Sequence, residues 1–269
     1  MRAQFVKILS VLHLRDIARR THRLWWDVRH RLTWAVMSRV QTGWRPLVPE
    51  EAFSTCLRDA VRQMRMESNG APVGAYLEFG VSRGTSMACA ARVFVKEGLD
   101  VHLYGFDSFQ GMPRHAAKEG WTPGAYRSTR RATERYLRTH GADFSRITLI
   151  EGWFEETLTM ETWRTLQIGS AGVIMVDCDT YSATRQALTF CEPLIQNRTV
   201  IIFDDWGAQE VKGERGEREA FEWFLSAYPS LRATPIEPSY APRARMFMLV
   251  RGERPNRRWH QVARELVAQ

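Results

Sequence analysis

Short apolar runs alternate with helix-like segments over most of the chain, and this alternation constrains its fold more than any other feature. Five runs have strand character: "AYLEF" (75–79), "VHLYGF" (101–106), "RITLI" (146–150), "AGVIMV" (171–176) and "TVIIF" (199–203). Strands separated by helices in this way form a parallel sheet with helices on both faces. After a helical segment near 218–227, "LRATPIE" and "RMFMLV" flank a short Pro-rich turn, which predicts an antiparallel hairpin. We therefore predict an α/β fold with a seven-stranded, mostly parallel sheet.

The positive charge of the chain is concentrated at its N-terminal end. The first 46 residues hold ten Lys and Arg against two Asp, an excess that equals the net charge of +8 of the whole chain. Because the rest is neutral overall, we expect no nucleic-acid partner, which would require a basic binding face. Apolar residues at four-residue steps between Leu24 and Val40 predict an amphipathic helical arm, and four tryptophans add to its apolar character. This arm favours contact between subunits, and so a homo-oligomer; contact with a membrane surface is the alternative.

Three regions follow from this pattern. They are a basic helical arm (1–46), an α/β domain (47–253) and a helical tail (254–269). The chain contains no run of about 18 apolar residues that would predict a transmembrane helix. Charges interrupt the apolar N-terminal stretches, unlike those of a signal peptide, and the four scattered cysteines are typical of a reducing compartment. We expect a cytoplasmic protein that reaches a membrane, if at all, through the arm.

The stretch "YLEFGVSRGTS" (76–86) follows the first predicted strand and has two incompatible interpretations. Gly80 to Gly84 matches G-x-S-x-G, the nucleophile elbow of α/β-hydrolases, which would make Ser82 a nucleophile. That fold needs strands and an oxyanion loop before the elbow, and here only helical segments precede it. We therefore favour a glycine-bearing turn between a strand and a helix, whose backbone approaches a bound nucleotide-like cofactor.

The residues of this turn are the first candidates for cofactor binding. They are Glu78, Gly80, Ser82, Gly84 and Thr85. Thr85 and Ser86 are placed to cap the helix that follows. Asp107 ends the second predicted strand, where a carboxylate accepts hydrogen bonds from ribose hydroxyls. The third glycine of a dinucleotide-binding turn is missing, which favours S-adenosylmethionine, a cofactor without phosphates.

Aspartates follow the fourth and fifth predicted strands in "VDCDTY" and "FDDW". Asp177, Asp204 and Asp205 come where adjacent parallel strands end, and such ends face one crevice. Carboxylates that converge there repel one another unless a cation or proton intervenes, and oxygen ligands suit Mg²⁺. Helix capping is the alternative for Asp205, and it is the preferred interpretation for Asp179, which precedes "TYSATRQAL". The sequence thus predicts a metal site formed by the first three aspartates.

Five motifs in this order resemble those of one family: "YLEFGVSRGTS", "YGFDSFQGMP", "LIEGWFEETL", "MVDCDTYSATRQAL" and "VIIFDDW". They are similar to motifs of the TylF/MycF/NovP family, S-adenosylmethionine- and metal-dependent O-methyltransferases that act on sugar hydroxyls of macrolide and aminocoumarin antibiotics. The resemblance covers about residues 76–206. It implies the class I (Rossmann-like) methyltransferase fold, whose sheet matches the one predicted above.

The resemblance also implies roles for individual residues. Asp177 would be both a metal ligand and the general base, and Asp204 and Asp205 would be further ligands. Besides the glycine turn, four residues would contact the cofactor: Asp107, Ser108, Gly152 and Trp153. We therefore predict Mg²⁺-assisted O-methylation of a small sugar-bearing acceptor, such as a glycosylated natural product. The cation would lower the pKa of the acceptor hydroxyl, and Asp177 would accept its proton.

The chain departs from the family in two places. The arm has no counterpart that can be aligned, and the acid of an N-terminal lid that completes the metal shell in some family members cannot be located. The segment "RHAAKEGWTPGAY" (114–126), between the second predicted strand and the next helix, is suited to a substrate lid. His115 in this lid is a candidate second base, although a solvated loop histidine is the favoured interpretation. Trp121 and Tyr126 fit either stacking on a sugar or structural packing, and the sequence leaves both open.

Two other functions remain as alternatives. The same motifs resemble proteins described as cephalosporin hydroxylases, but an iron oxygenase typically uses two histidines and one carboxylate. No histidine occurs between His140 and His260, which disfavours that function. A binding protein that keeps the fold and is recruited to a partner or membrane by its arm is the second alternative.

Overall fold

The computed structural model describes residues 47–207 and 215–252. The α-helices of this part are α1 (Glu50–Glu67), α2 (Thr85–Lys96), α3 (Arg130–Thr139), α4 (Phe154–Thr157), α5 (Met160–Leu166), α6 (Tyr181–Cys191) and α7 (Glu217–Ala227). The strands are β1 (Ala75–Phe79), β2 (Leu103–Asp107), β3 (Ile147–Glu151), β4 (Ala171–Val176), β5 (Arg198–Phe203), β6 (Leu231–Ile236) and β7 (Arg245–Arg251). Short 3₁₀ helices are Arg114–Glu119, Phe144–Arg146 and Glu192–Leu194.

The strands form a seven-stranded sheet in the order β3-β2-β1-β4-β5-β7-β6. Strands β1 to β5 run parallel to one another, and β7 is antiparallel to both β5 and β6. The predicted fold is confirmed, including the hairpin of the last two strands. Because the strand order reverses between β1 and β4, a crevice forms there at the carboxyl ends of the strands, where ligands of such sheets bind.

The sequence places the elements within a few residues, and the differences have local causes. The strands predicted at 75–79 and 171–176 have the predicted bounds. Helix α3 begins at Arg130, because the Thr129 hydroxyl caps it by accepting the Ala132 N–H at 3.2 Å. Helix α6 ends at Cys191, because Pro193 lacks the N–H needed to continue it, and a 3₁₀ turn follows.

Strand β4 lies at the centre of the sheet, and all six of its residues are buried. Val173 and Met175 pack into the core layer that holds α1 and α2, whereas Ile174 and Val176 pack into the layer that holds α6 and α7. Each such side chain contributes about 1.5–3 kcal/mol by leaving water. Burial on both faces therefore holds the end of β4 rigidly, and with it the acidic loop that follows.

The predicted arm (1–46) and tail (254–269) lie outside the described residues, so their helical character stays a prediction. Within 47–207 and 215–252, no helix has both the length and the apolar composition that a membrane span requires.

Candidate active site

A cavity of about 290 Å³ opens at the carboxyl ends of the parallel strands. Nine of the predicted site residues line it: Gly80, Ser82, Asp107, Ser108, Gly152, Trp153, Asp177, Asp204 and Asp205. Glu78, Gly84 and Thr85 were predicted for the same site but do not line the cavity. The cavity therefore joins the glycine turn, the end of β2 and the acidic loops in one chamber.

Gly80 turns the chain out of β1 with φ of +88°, in the left-handed region. A Cβ at this position would lie 1.8 Å from the carbonyl oxygen of Asp177. The two segments are held together because the Asp177 N–H donates to the Phe79 carbonyl at 2.9 Å, while the Gly80 N–H donates to the Phe106 carbonyl at 3.0 Å. Only glycine fits, so the turn and the acidic loop form one continuous wall.

Asp107 organises the glycine turn through backbone hydrogen bonds. Its Oδ2 accepts the Ser82 N–H at 2.6 Å, and its Oδ1 accepts the Phe109 N–H at 2.6 Å. Burial raises the pKa of Asp107, and these N–H groups oppose that shift. The Ser82 hydroxyl donates to the Tyr126 carbonyl at 3.4 Å, so its hydrogen bond goes to a backbone acceptor and not to a base. This arrangement supports the role of Ser82 in a binding turn over that of a nucleophile.

The predicted capping of α2 by Thr85 and Ser86 is wrong. The N-cap residue is Gly84, at φ of +80°, and Thr85 is already the first helical residue. The Ser86 hydroxyl instead donates to Glu78 Oε1 at 2.6 Å, and the Tyr76 hydroxyl donates to Oε2 at 2.6 Å. Glu78 is fully buried; burial raises its pKa to about 7, and the two hydroxyl groups oppose the shift. Glu78 thus ties β1 to the start of α2, and its contact with a cofactor stays a prediction.

The three aspartates of the predicted metal site lie close together. One carboxylate oxygen from each of Asp177, Asp204 and Asp205 lies within 4.8 Å of the others. Enclosure by protein raises the pKa of Asp177 well above its usual range, and Asp204 and Asp205 raise it further. Burial also raises the pKa of Asp204 to about 6, although a hydrogen bond from Tyr240 opposes the shift. Mutual repulsion of this kind is relieved by a proton or by a cation among the oxygens, and the donor set suits a hard divalent cation.

Asp179 belongs to the acidic group and does not cap α6. Helix capping, which the sequence analysis preferred for Asp179, is therefore wrong. The cap is Thr180, whose hydroxyl accepts the Ala183 N–H at 3.2 Å. Asp179 is buried in the left-handed region at φ of +63° and lines the cavity. Burial raises its pKa well above the usual range, and Asp205 raises it further by sharing a hydrogen bond. The acidic group is therefore larger than the three predicted ligands.

Two further residues support the group, and sequence analysis missed both. Glu217, fully buried at the start of α7, accepts the Asp205 N–H with Oε2 at 3.0 Å. Burial raises the pKa of Glu217 well above its usual range, and Asp205 and Asp179 raise it further. Tyr240 donates its hydroxyl proton to Asp204 Oδ1. Burial and Asp204 raise the pKa of Tyr240, so this phenol stays protonated and remains a donor. No spacing rule connects these residues with their distant partners.

The segment 114–126 forms part of the cavity wall. His115 and Tyr126 line the cavity, whereas Trp121 packs edge-on against Tyr126 with ring centroids 6.2 Å apart. His115 is about half exposed, and its Nε2 lies 3.8 Å from Glu155 Oε1. Burial and the neighbouring aspartates raise the pKa of Tyr126. Of these two aromatic residues, only Tyr126 therefore lines the cavity.

The predicted lid is tied to the acidic side of the cavity. The Ser182 hydroxyl, in the first turn of α6, donates to Glu119 Oε1 at 2.5 Å. This bond joins the end of the 3₁₀ helix Arg114–Glu119 to the helix that follows the Asp177 loop.

The sheet order and the site at its carboxyl edge define the class: the protein has the class I methyltransferase fold. A family model described as "Methyltransferase domain" matches residues 77–206. The chain is therefore an S-adenosylmethionine-dependent methyltransferase, and the matched residues include the glycine turn and the three aspartates.

Solved structures agree with this assignment of fold. One is the O-methyltransferase NovP, with 19% identity and a TM-score of 0.58 over 73% of this chain and 80% of that chain. Another is CalS11, a calicheamicin methyltransferase, with 21% identity and a TM-score of 0.55 over 71% of this chain and 76% of that chain. An apo structure of CalS11, described as a TDP-rhamnose 3'-O-methyltransferase, has 22% identity and a TM-score of 0.50 over the same shares, 71% and 76%. No curated protein matches the sequence.

NovP is one of the proteins that give the TylF/MycF/NovP family its name. The structural likeness therefore confirms, at the level of the fold, the resemblance that the five motifs indicate. At these sequence identities, the structural likeness shows only that the folds are similar.

Proposed function

We propose that the protein transfers a methyl group from S-adenosylmethionine to a hydroxyl of a small sugar-bearing acceptor, assisted by Mg²⁺ or a similar divalent cation. The observation that carries the proposal is the close approach of Asp177, Asp204 and Asp205 within 4.8 Å beside the cavity. In the class I fold, this position lies next to the cofactor crevice.

The donor set fits a hard divalent cation. Three carboxylates supply oxygen ligands only. Burial raises the pKa values of Asp177 and Asp204, and the neighbouring aspartates raise them further through a repulsion that a cation would relieve. A cation bound there would lower the pKa of an acceptor hydroxyl, which otherwise loses its proton only far above neutral pH. The group contains no histidine, which argues against the iron chemistry of the hydroxylase alternative.

The opposite side of the cavity fits the cofactor. Gly80 lets the backbone of the turn lie directly against the acidic loop, and Asp107 stands at the end of β2 where ribose hydroxyls bind in this fold. Ser108, Gly152 and Trp153 continue this wall. S-adenosylmethionine supplies the sulfonium methyl group, and the turn would hold it beside the acidic group.

The residues of the acidic side then perform the remaining steps. Asp177 would accept the proton of the acceptor hydroxyl as its oxygen bonds to the methyl carbon, while the bond between that carbon and the cofactor sulfur breaks. Asp204 and Asp205 would hold the cation, and the rigid strand ends would fix the distance between acceptor and cofactor, which supplies much of the rate in reactions of this kind. Tyr126 lines the cavity and would face the acceptor from the predicted lid.

A direct experiment tests this function. The purified protein is incubated with S-adenosylmethionine and a panel of free sugars, nucleotide-linked sugars and glycosylated natural products. We expect methylated product by mass spectrometry in Mg²⁺ and none in EDTA. Methylation that is unchanged in EDTA would contradict the metal-assisted function, and the absence of S-adenosylhomocysteine binding in calorimetry would contradict methyl transfer itself.

A further inference from the structure

Tyr240 reaches the acidic group from a part of the chain beyond the matched methyltransferase domain (77–206). It lies in the connection between β6 and β7, and only 6% of its surface is exposed. Its hydroxyl donates a hydrogen bond to Asp204 Oδ1. Asp204, a ligand of the proposed cation, thus accepts a hydrogen bond from a buried neutral donor.

Helix α1 fixes the position of this hydroxyl. The fully buried Phe53 packs edge-on against Tyr240, with ring centroids 5.0 Å apart and planes at 80°. One turn further along α1, the Cys56 thiol donates to the Pro238 carbonyl at 3.4 Å. Two contacts therefore hold the β6–β7 connection against α1, and the phenol has little freedom to follow a carboxylate that moves.

We propose that Tyr240 is a positioning residue for the divalent cation: it fixes the orientation of Asp204 so that this carboxylate stays directed at the cation site. The inference rests on the proposed metal-assisted function. Asp204 lies beside Asp177 and Asp205, whose like charges favour its rotation away from them. A hydrogen bond to one of its oxygens opposes that rotation before the cation binds. Partners of metal ligands typically change metal affinity about 10–100-fold when they are removed.

The test measures the binding of Mn²⁺ alone, by calorimetry and by electron paramagnetic resonance, in the full-length protein. Tyr240→Phe removes the hydroxyl and keeps the ring that packs on Phe53. Tyr228→Phe is the matched control, because Tyr228 is also buried but packs against Phe224 in the other core layer. We expect the Kd for Mn²⁺ to rise at least about 10-fold in Tyr240→Phe and to stay within twofold in Tyr228→Phe. The affinity for S-adenosylhomocysteine should not change in either variant.

A double-mutant cycle separates positioning from a general structural effect. If Tyr240 acts through Asp204, Tyr240→Phe weakens Mn²⁺ binding in the wild-type background and has no further effect in the Asp204→Asn background. Equal effects in both backgrounds would overturn the inference, as would wild-type Mn²⁺ affinity in Tyr240→Phe. Absence of Mn²⁺ binding in the unaltered protein would refute the metal-assisted function itself, and the inference with it. Failure of the Tyr240 inference and failure of the metal-assisted function therefore give different results.

Discussion

Replacement of Gly80 by alanine tests whether the glycine turn and the acidic loop form one rigid wall. An L-residue in the left-handed region costs about 1–2 kcal/mol, and Gly80 has φ of +88°. The added Cβ would also lie 1.8 Å from a backbone oxygen of Asp177, which cannot rotate away as a side chain would. Forced overpacking of this kind costs about 1–3 kcal/mol. We therefore expect Gly80→Ala to lower the free energy of unfolding by about 2–5 kcal/mol.

Gly98 provides a matched control. It has a similar φ of +65°, and a Cβ there would meet no atom within 4 Å. Gly98→Ala should therefore cost only the backbone term of about 1–2 kcal/mol. Urea unfolding gives both values, and calorimetry gives the Kd for Mn²⁺, which should rise only in Gly80→Ala because Asp177 is displaced. Equal destabilisation by the two variants, with Mn²⁺ binding intact, would refute this account of the wall.

Four further results are expected. Asp177→Asn abolishes methyl transfer while S-adenosylhomocysteine still binds, and exposed Asp100→Asn changes neither; near-normal turnover would remove Asp177 from the mechanism. Asp205→Ala raises the Mg²⁺ concentration needed for half-maximal activity after EDTA treatment, and an unchanged requirement would make this carboxylate structural. In EDTA, the unfolding free energy decreases between pH 4 and pH 7. Folding raises the pKa of Asp204 to about 6 and of Glu78 to about 7, so the folded protein binds more protons there. Glu78→Gln should show a flatter decrease by urea unfolding, and an equally steep one would exclude Glu78 as its source. Deletion of residues 1–46 should lower the assembly state in analytical ultracentrifugation and leave S-adenosylhomocysteine affinity unchanged; an unchanged assembly state together with lost liposome binding would favour the membrane alternative.

The sheet and the three-aspartate group could be predicted because their signals are local. Strand β4 is a continuous apolar run, and the position of Asp177 after it follows from where that run ends. Since parallel strands end at one edge of the sheet, Asp204 and Asp205 after β5 had to lie nearby. Side-chain geometry at helix starts was less predictable. Both Asp179 and Thr180 can cap a helix, and the sequence does not show which of two adjacent cap residues enters the helix start and which turns into the cavity.

The supports of the acidic group could not be predicted from the sequence. Glu217 and Tyr240 lie 12 and 36 residues from the aspartates that they contact. Neither belongs to a motif, and the relevant information is the packing of α1 and α7 on the sheet. A buried glutamate at a helix start also looks like an ordinary favourable charge near a helix N-terminus. Only the three-dimensional contacts show that these residues support the acidic group.

The hydrogen bond from Ser82 to the Tyr126 carbonyl has a kinetic consequence. It joins the turn expected to hold the cofactor to Tyr126, the residue of the predicted lid that we propose to face the acceptor. The Ser82 carbonyl accepts two more hydrogen bonds, from Ser128 at 2.6 Å and Thr133 at 2.5 Å, so the turn is also tied to the residues that follow the predicted lid. A cofactor that orders the glycine turn is expected to order the predicted lid as well. We therefore expect substrates to bind in a compulsory order, cofactor first, which product-inhibition patterns would reveal.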